Sequence, residues 1–276
     1  MRTTDLFIII GEILTGLAII IAGFIPYHLV TTTATATEAQ HTSRADLEAT
    51  WDSTPITKLP DTTPKSSAGD QPILPDPPEG EPIGIMRIPA LGDDWEYVIH
   101  QGVDQNILAE GPGAYSNDTN TSDTAANNYA IAGHRDGWDA PFGDLDKLNT
   151  CDIITIETDT AIQSWAVLPP AGTPQQRADE LSRAGNCLSN VTDGPTTISH
   201  APYNDVPGNH IVSPTDAWVT HPIPGHEDTA ALRNKHAMHL LTLTTCHPHW
   251  SNQQRLVIHA AYVGATEKNN SKLPQR

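Results

Sequence analysis

The chain of 276 residues carries 33 acidic against 15 basic side chains, a net charge of -18 at pH 7. So negative a molecule repels phosphate backbones, which argues against nucleic acid as a partner, and the length allows one large domain or two small ones. Cys151, Cys187 and Cys246 are an odd set of three, so at most two can pair and one thiol is left over.

Residues 6–25, LFIIIGEILTGLAIIIAGFI, form an apolar stretch broken only by Glu12. At about 1.5 Å per residue such a stretch crosses roughly 30 Å of hydrocarbon, so it predicts one membrane helix. A cleaved signal peptide would have a shorter apolar core, about 7–15 residues, than this one. Arg2 and the amino terminus are the nearby cations, which keeps the N-terminus cytoplasmic and sends the rest outside. Glu12 is costly in lipid and is expected to face a partner helix or to be protonated. Residues 1–30 therefore read as the anchor of a single-pass cell-membrane protein with its main domain extracytoplasmic.

Residues 31–82 turn to Thr, Ala, Ser, Asp and Pro, with eight prolines between Pro55 and Pro82. Such a segment buries too little apolar surface to offset its chain entropy, so a disordered or extended linker is expected, with a short helix around 43–51 as an option.

From 83 to 276 the pattern changes to short apolar runs cut by turn residues: IGIMRI (83–88), WEYVIH (95–100), NYAIAGH (128–134), DIITIET (152–158), IQSWAVL (162–168), HLLTLTTC (239–246) and QRLVIHAAYV (254–263). They are rich in β-branched and aromatic residues, and helical periodicity is confined to two short stretches at 104–110 and 141–148. The fold class expected is all-β, a closed or nearly closed barrel. Residues 169–209 interrupt it as a long insertion, a lid, a small subdomain or a disordered excursion. A disulfide between Cys187 and Cys151 would pin that insertion and leave Cys246 free; the alternative is that both are buried small hydrophobes.

Cys246 ends one strand, and Pro248 turns the chain outward after it, so the thiol belongs at a barrel rim. Nucleophilic catalysis there needs a thiolate and a proton donor for the leaving amine. His134 is the best placed imidazole, since it also ends a strand, with Gly133 before it permitting close backbone approach. Arg255 opens the strand after Cys246 and can supply a rigid, permanently charged fork of donors where an oxyanion develops. Taken singly, each residue has a plainer reading, as packing for the Cys and as surface for the His and Arg.

The segment TLTTCHP (242–248) followed by Arg255 in QRLVI, together with AGHRD followed by PFGDLDKL, resembles the sortases, membrane-anchored cysteine transpeptidases of Gram-positive bacteria. The likeness runs over roughly 82–263 outside the insertion and is most like class E, the actinobacterial housekeeping type. It implies the eight-stranded sortase barrel, with Cys246 as nucleophile, His134 as general acid and then base, and Arg255 as oxyanion and substrate clamp. Thr244 and Thr245 would bind substrate or, equally, pack within the strand. The partners implied are surface proteins with a sorting motif of the LAxTG or LPxTG kind and an amine of the cell wall or of another protein, with no cofactor and no metal. The chain departs from the family pattern at Cys151, where a Gly is usual, and in the insertion near the substrate-gripping region.

Several readings compete. A pilin-polymerising or pilus-anchoring sortase usually adds a C-terminal membrane helix and an aromatic lid motif; LPDPPEGEP has the Asp-Pro without the aromatic. CHPH (246–249) spaces its ligands poorly for zinc. NDTNTSD (117–123) alternates oxygen ligands but lacks the Gly and distal Glu of a calcium loop. A papain-like hydrolase would carry its Cys on a helix near the domain's start. The non-enzymatic reading is a tethered β-domain, an adhesin or scaffold with an inert Cys246.

Overall fold

Strands whose two faces are both covered show no polar alternation, and the first strands of this domain are of that kind. The computed structural model describes residues 3–51, 74–116, 128–189, 198, 202–226 and 238–268. Strand β1 (Pro82–Arg87) sends Ile83 and Met86 into a core with Ile99, while Ile85 joins Val98 in a separate cluster on the opposite face. β2 (Glu96–Gln101) pairs antiparallel with β1, and β5 (Ile153–Glu157) flanks β1 on the other side.

The remaining strands are β3 (Gly113–Ala114), β4 (Asn128–Ala132), β6 (Ala161–Val167), β7 (Asn209–Val212), β8 (Leu240–His247) and β9 (Gln254–Glu267). They run in the order β6-β5-β1-β2-β3-β4-β8-β9, and β6 pairs again with β9, so eight strands close into the expected barrel. Short helices are few: α2 (Gln105–Leu108) and a 3-10 turn at Leu145–Lys147 fall in the two stretches where helical periodicity was expected. At 14 residues, β9 is long enough to hold β8 along one edge and, along the other, β6 followed by the extra strand β7.

The chain from 31 to 50 is helix rather than extended linker. A single helix, α1 (Thr3–Thr50), begins with a segment long and apolar enough to cross a membrane and continues across the outer face of β1 and β2. Thr32, Ala36, Gln40, Ser43 and Leu47, spaced by three or four residues as one helical face requires, turn toward the barrel. Leu47 is buried against Ile85 and Val98. Because β3 spans only two residues, it leaves the edge of β2 away from β1 unpaired at Val98, and the Gln40 amide fills the gap. It accepts from Val98 N at 2.6 Å and donates to Val98 O at 3.1 Å and to Glu110 O at 2.8 Å. Ser43 bonds His100 at 2.7 Å, and burial pushes that imidazole down to about 4. Arg44 pairs with Glu96, which bonds Arg87, which bonds the fully buried Glu157; Lys268 closes this chain on Glu157 and sits over the Trp51 ring.

The insertion opens with α3 (Pro174–Arg183), started by a capping box between Thr173 and Gln176. The buried Arg177 guanidinium donates to the carbonyls of Pro169, Pro170 and Val206. Leu181, Leu188 and Tyr203 pack with Ala166, Leu240, Ala261 and Val263, on the outer face of β6, β8 and β9. Cys151 and Cys187 are joined in a disulfide with Cα atoms 5.6 Å apart, tying the insertion to the turn before β5. The residues of NDTNTSD, with parts of the linker and the insertion, lie outside the described ones.

A barrel starting at residue 52 should be less stable than one starting at residue 31. Loss of the α1 cover removes burial of Leu47 and its neighbours, on the order of 2–3 kcal/mol, and should lower Tm by roughly 5–10 °C. Thermal unfolding followed by circular dichroism checks this, and equal melting of the two fragments would mean that the helix contributes nothing to the barrel.

Candidate active site

The TLTTC stretch is a strand with two different faces. Leu241 and Leu243 enter the barrel core with Leu256 and Ile258 of β9, while Thr242, Thr244 and Cys246 lie on the opposite face by the period of two. Cys246 is the free thiol and is half-buried at the strand's end. In the antiparallel β8/β9 ladder it stands directly opposite Arg255. Side chains at such a pair leave the sheet on the same face, with Cβ atoms about 5 Å apart. The Arg255 guanidinium folds back over its own loop, donating to Asn252 O at 3.1 Å and Gln254 O at 2.9 Å.

His134 arrives by the other edge of β8. β4 runs parallel to β8 with Ala132 level with Thr244. The ladder continues one residue further: Gly133 N donates to Thr244 O at 3.1 Å, and Thr245 Oγ1 donates to Gly133 O at 2.8 Å. His134 follows immediately, at the level of Cys246. Gly133 is required because a Cβ there would lie 2.6 Å from the buried Phe142 ring. The His134 ring stacks on Trp138 at 6.3 Å, and its Nε2 is buried with no hydrogen-bond partner among the described residues. Burial pushes its pKa below the usual histidine value, against the opposing pull of Asp136.

Arg135 and Asp136, which follow His134 in AGHRD, hold the segment after Cys246, a role the sequence reading did not assign them. The buried Arg135 guanidinium donates to Cys246 O at 3.4 Å and to Asp146 at 3.0 Å, and its Nη1 lies 2.7 Å from His247 Nδ1. Asp136 accepts from Trp250 N at 2.7 Å and pairs with His249 Nδ1 at 2.6 Å. The signal lay in plain view: opposite charges on adjacent residues at a strand end, within a motif of which only the histidine was given work. Both imidazoles of CHPH are thereby engaged, and among the described residues no three metal-ligating side chains converge.

The two threonines differ in surroundings. Thr245 is buried and its hydroxyl serves Gly133, whereas Thr244, also buried, lies on the Cys246 face with its hydroxyl 3.1 Å from Tyr115 OH. Below them on this face, Thr242 donates to Asn128 at 2.6 Å and meets His259, whose full burial beside His210 pushes it down to about 3. Asn128, level with Leu240, in turn donates to the carbonyls of Val219 and His221, holding residues 217–221 on the same face of the sheet. The insertion core packs at Leu240, about 20 Å of strand away from Cys246.

A family model described as the sortase domain matches residues 86–263. The chain belongs to the sortase family. SrtF sortase from Corynebacterium diphtheriae is 33% identical and superposes with a TM-score of 0.62, covering 72% of this chain and 93% of that one. Sortase SrtE2 of Streptomyces coelicolor is 26% identical over 211 residues, 71% of this chain and 78% of that protein. The barrel of this sortase is thus the family's, with β7 and a pinned insertion beside it.

Asp136→Asn should move the titration of His134 to lower pH, because the carboxylate is the charge that partly offsets the lowering by burial. Histidine NMR against pH reads the shift directly; an upward move would show that Asp136 does not act on the imidazole through its charge.

Proposed function

We propose that this sortase is held in the membrane by residues 6–25, with its barrel on the extracytoplasmic side, and joins surface proteins to an amine of the cell wall. Cys246 is the nucleophile, His134 the proton donor and acceptor, and Arg255 the oxyanion clamp. The observation that carries the reading is the register: Cys246 is opposite Arg255 on one edge of β8 and level with His134 on the other.

The Cys246 thiolate attacks the carbonyl carbon of the Thr in an LAxTG- or LPxTG-like motif, and negative charge gathers on its oxygen. Arg255 swings from the carbonyls of Asn252 and Gln254 to that oxygen, which it meets on the shared face. His134 gives its proton to the departing Gly amine, the C–N bond breaks, and a thioester remains on Cys246. An incoming amine then attacks the thioester, His134 takes the amine's proton, and expulsion of the sulfur completes a new amide and restores the thiolate. Desolvation of the half-buried His134 ring lowers its pKa, which makes its imidazolium a stronger proton donor to the departing amine. Thr244 lies on the substrate's side of the strand, and Thr245 positions the His134 segment. The class E assignment draws support from the relationship to Sortase SrtE2.

Cys246→Ala should abolish cleavage of a quenched sorting-motif peptide, and mass spectrometry of the wild-type domain with that peptide should find the protein heavier by the acyl fragment. A domain that cleaves no such peptide and gains no mass would favour the scaffold reading. Arg255→Lys keeps the charge but loses the planar fork, and should lower kcat by about 100-fold or more. Turnover near wild type would remove Arg255 from the oxyanion role.

A further inference from the structure

A histidine that moves protons needs its ring held in one plane, and no hydrogen bond on the buried Nε2 of His134 does this, because that nitrogen has no partner among the described residues. The constraint recorded on the ring is the indole of Trp138, centred 6.3 Å away at an interplanar angle of 24°. Such an offset stack sets the plane of an imidazole and keeps water from one of its faces.

Trp138 does not reach this position by an ordinary turn. Gly137, Trp138, Asp139 and Ala140 have φ of 68°, 49°, 64° and 44°, and Ala140 N donates to Gly137 O at 2.7 Å, one turn of left-handed backbone. That conformation is costly for residues with a Cβ, and no other two non-glycine residues among the described ones adopt it in succession. Strained backbone persists only where its surroundings hold it. Here the holder is Tyr97 of β2, whose hydroxyl donates to the Asp139 carboxylate at 2.9 Å and lies 3.3 Å from Asp139 O. Tyr97 is itself set edge-on against Trp95, which stacks on Phe142, the ring packed against Gly133. Phe142 N returns to His134 O at 3.0 Å, so the loop is closed on the histidine it serves.

We propose that Tyr97 is a positioning residue for proton transfer: through Asp139 it holds the left-handed turn that lays Trp138 on His134. The inference rests on the reading of His134 as the proton donor and acceptor. Other groups at the rim are engaged independently of Tyr97: Asp136 with His249 and Trp250 N, Arg135 with Asp146 and His247, and Arg255 with the carbonyls of its loop. Removing the Tyr97 hydroxyl alters no charge, so its effect on His134 reads the cover that Trp138 provides.

Tyr97→Phe keeps the ring against Trp95 and removes the tether. In the full chain in detergent it should lower kcat on a quenched sorting-motif peptide by about 10-fold, with KM near the wild-type value. Histidine NMR against pH should show His134 titrating at higher pH than in wild type, because a released indole lets water reach the ring and weakens the lowering by burial. A mere loss of stability would not produce that shift. Asp139→Asn keeps an acceptor for the hydroxyl and should lose much less activity than Tyr97→Phe, and adding Tyr97→Phe to Trp138→Ala should cost nothing further. Unchanged kcat and unchanged titration in Tyr97→Phe overturn the positioning role and leave His134 in its own. A loss confined to KM makes Tyr97 a substrate contact and overturns it as well. A wild-type chain that cleaves no such peptide removes the proton-transfer reading of His134, and this inference with it.

Discussion

The parallel ladder between β4 and β8 is the constraint on which the site depends. Parallel neighbours need a crossover, and here the crossover spans more than a hundred residues, so His134 and Cys246 are brought to the same end of the sheet by register rather than by any local turn. Its last rung is made by Gly133, with a backbone bond to Thr244 and the Thr245 hydroxyl on its own carbonyl. A side chain at residue 133 would collide with Phe142, which sits in the barrel core. Core packing and site geometry therefore share one residue, and the rim is as well defined as the core beneath it.

A second constraint is cover for the outer faces. A barrel of this size fills its interior with side chains, and any apolar residue on the outside must find a partner elsewhere in the chain. Ile85 and Val98 find α1, whereas Ala166, Leu240, Ala261 and Val263 find the insertion. Among the described residues, the face bearing Cys246 is covered by β7 and residues 217–221, with Val212, Trp218 and Val219 packed on Val257.

Much of this was legible from residue order. Seven barrel strands announced themselves as apolar runs bounded by Gly, Pro and Asn, and Cys246, His134 and Arg255 stood at strand ends where pleat and turn expose a side chain. What escaped reading did so for physical reasons. β3 is two residues long and β7 four, too short to leave a period. The docked face of α1 reads Thr, Ala, Gln, Ser, Leu, because much of what it supplies is hydrogen bonding to an incomplete sheet edge, and apolar periodicity does not register an amide such as Gln40. The clue was in the partner instead: IGIMRI is apolar on both faces, so Ile85 needed something outside the barrel to lie against.

The disulfide has a consequence for how the enzyme matures. Three thiols permit three pairings, and the one present closes the shortest loop, 36 residues. Either of the others would consume Cys246, and would need the chain out of its folded arrangement, since Cys151 and Cys187 pack at the Leu240 end of β8. The pairing present therefore leaves reduced the one thiol proposed to react.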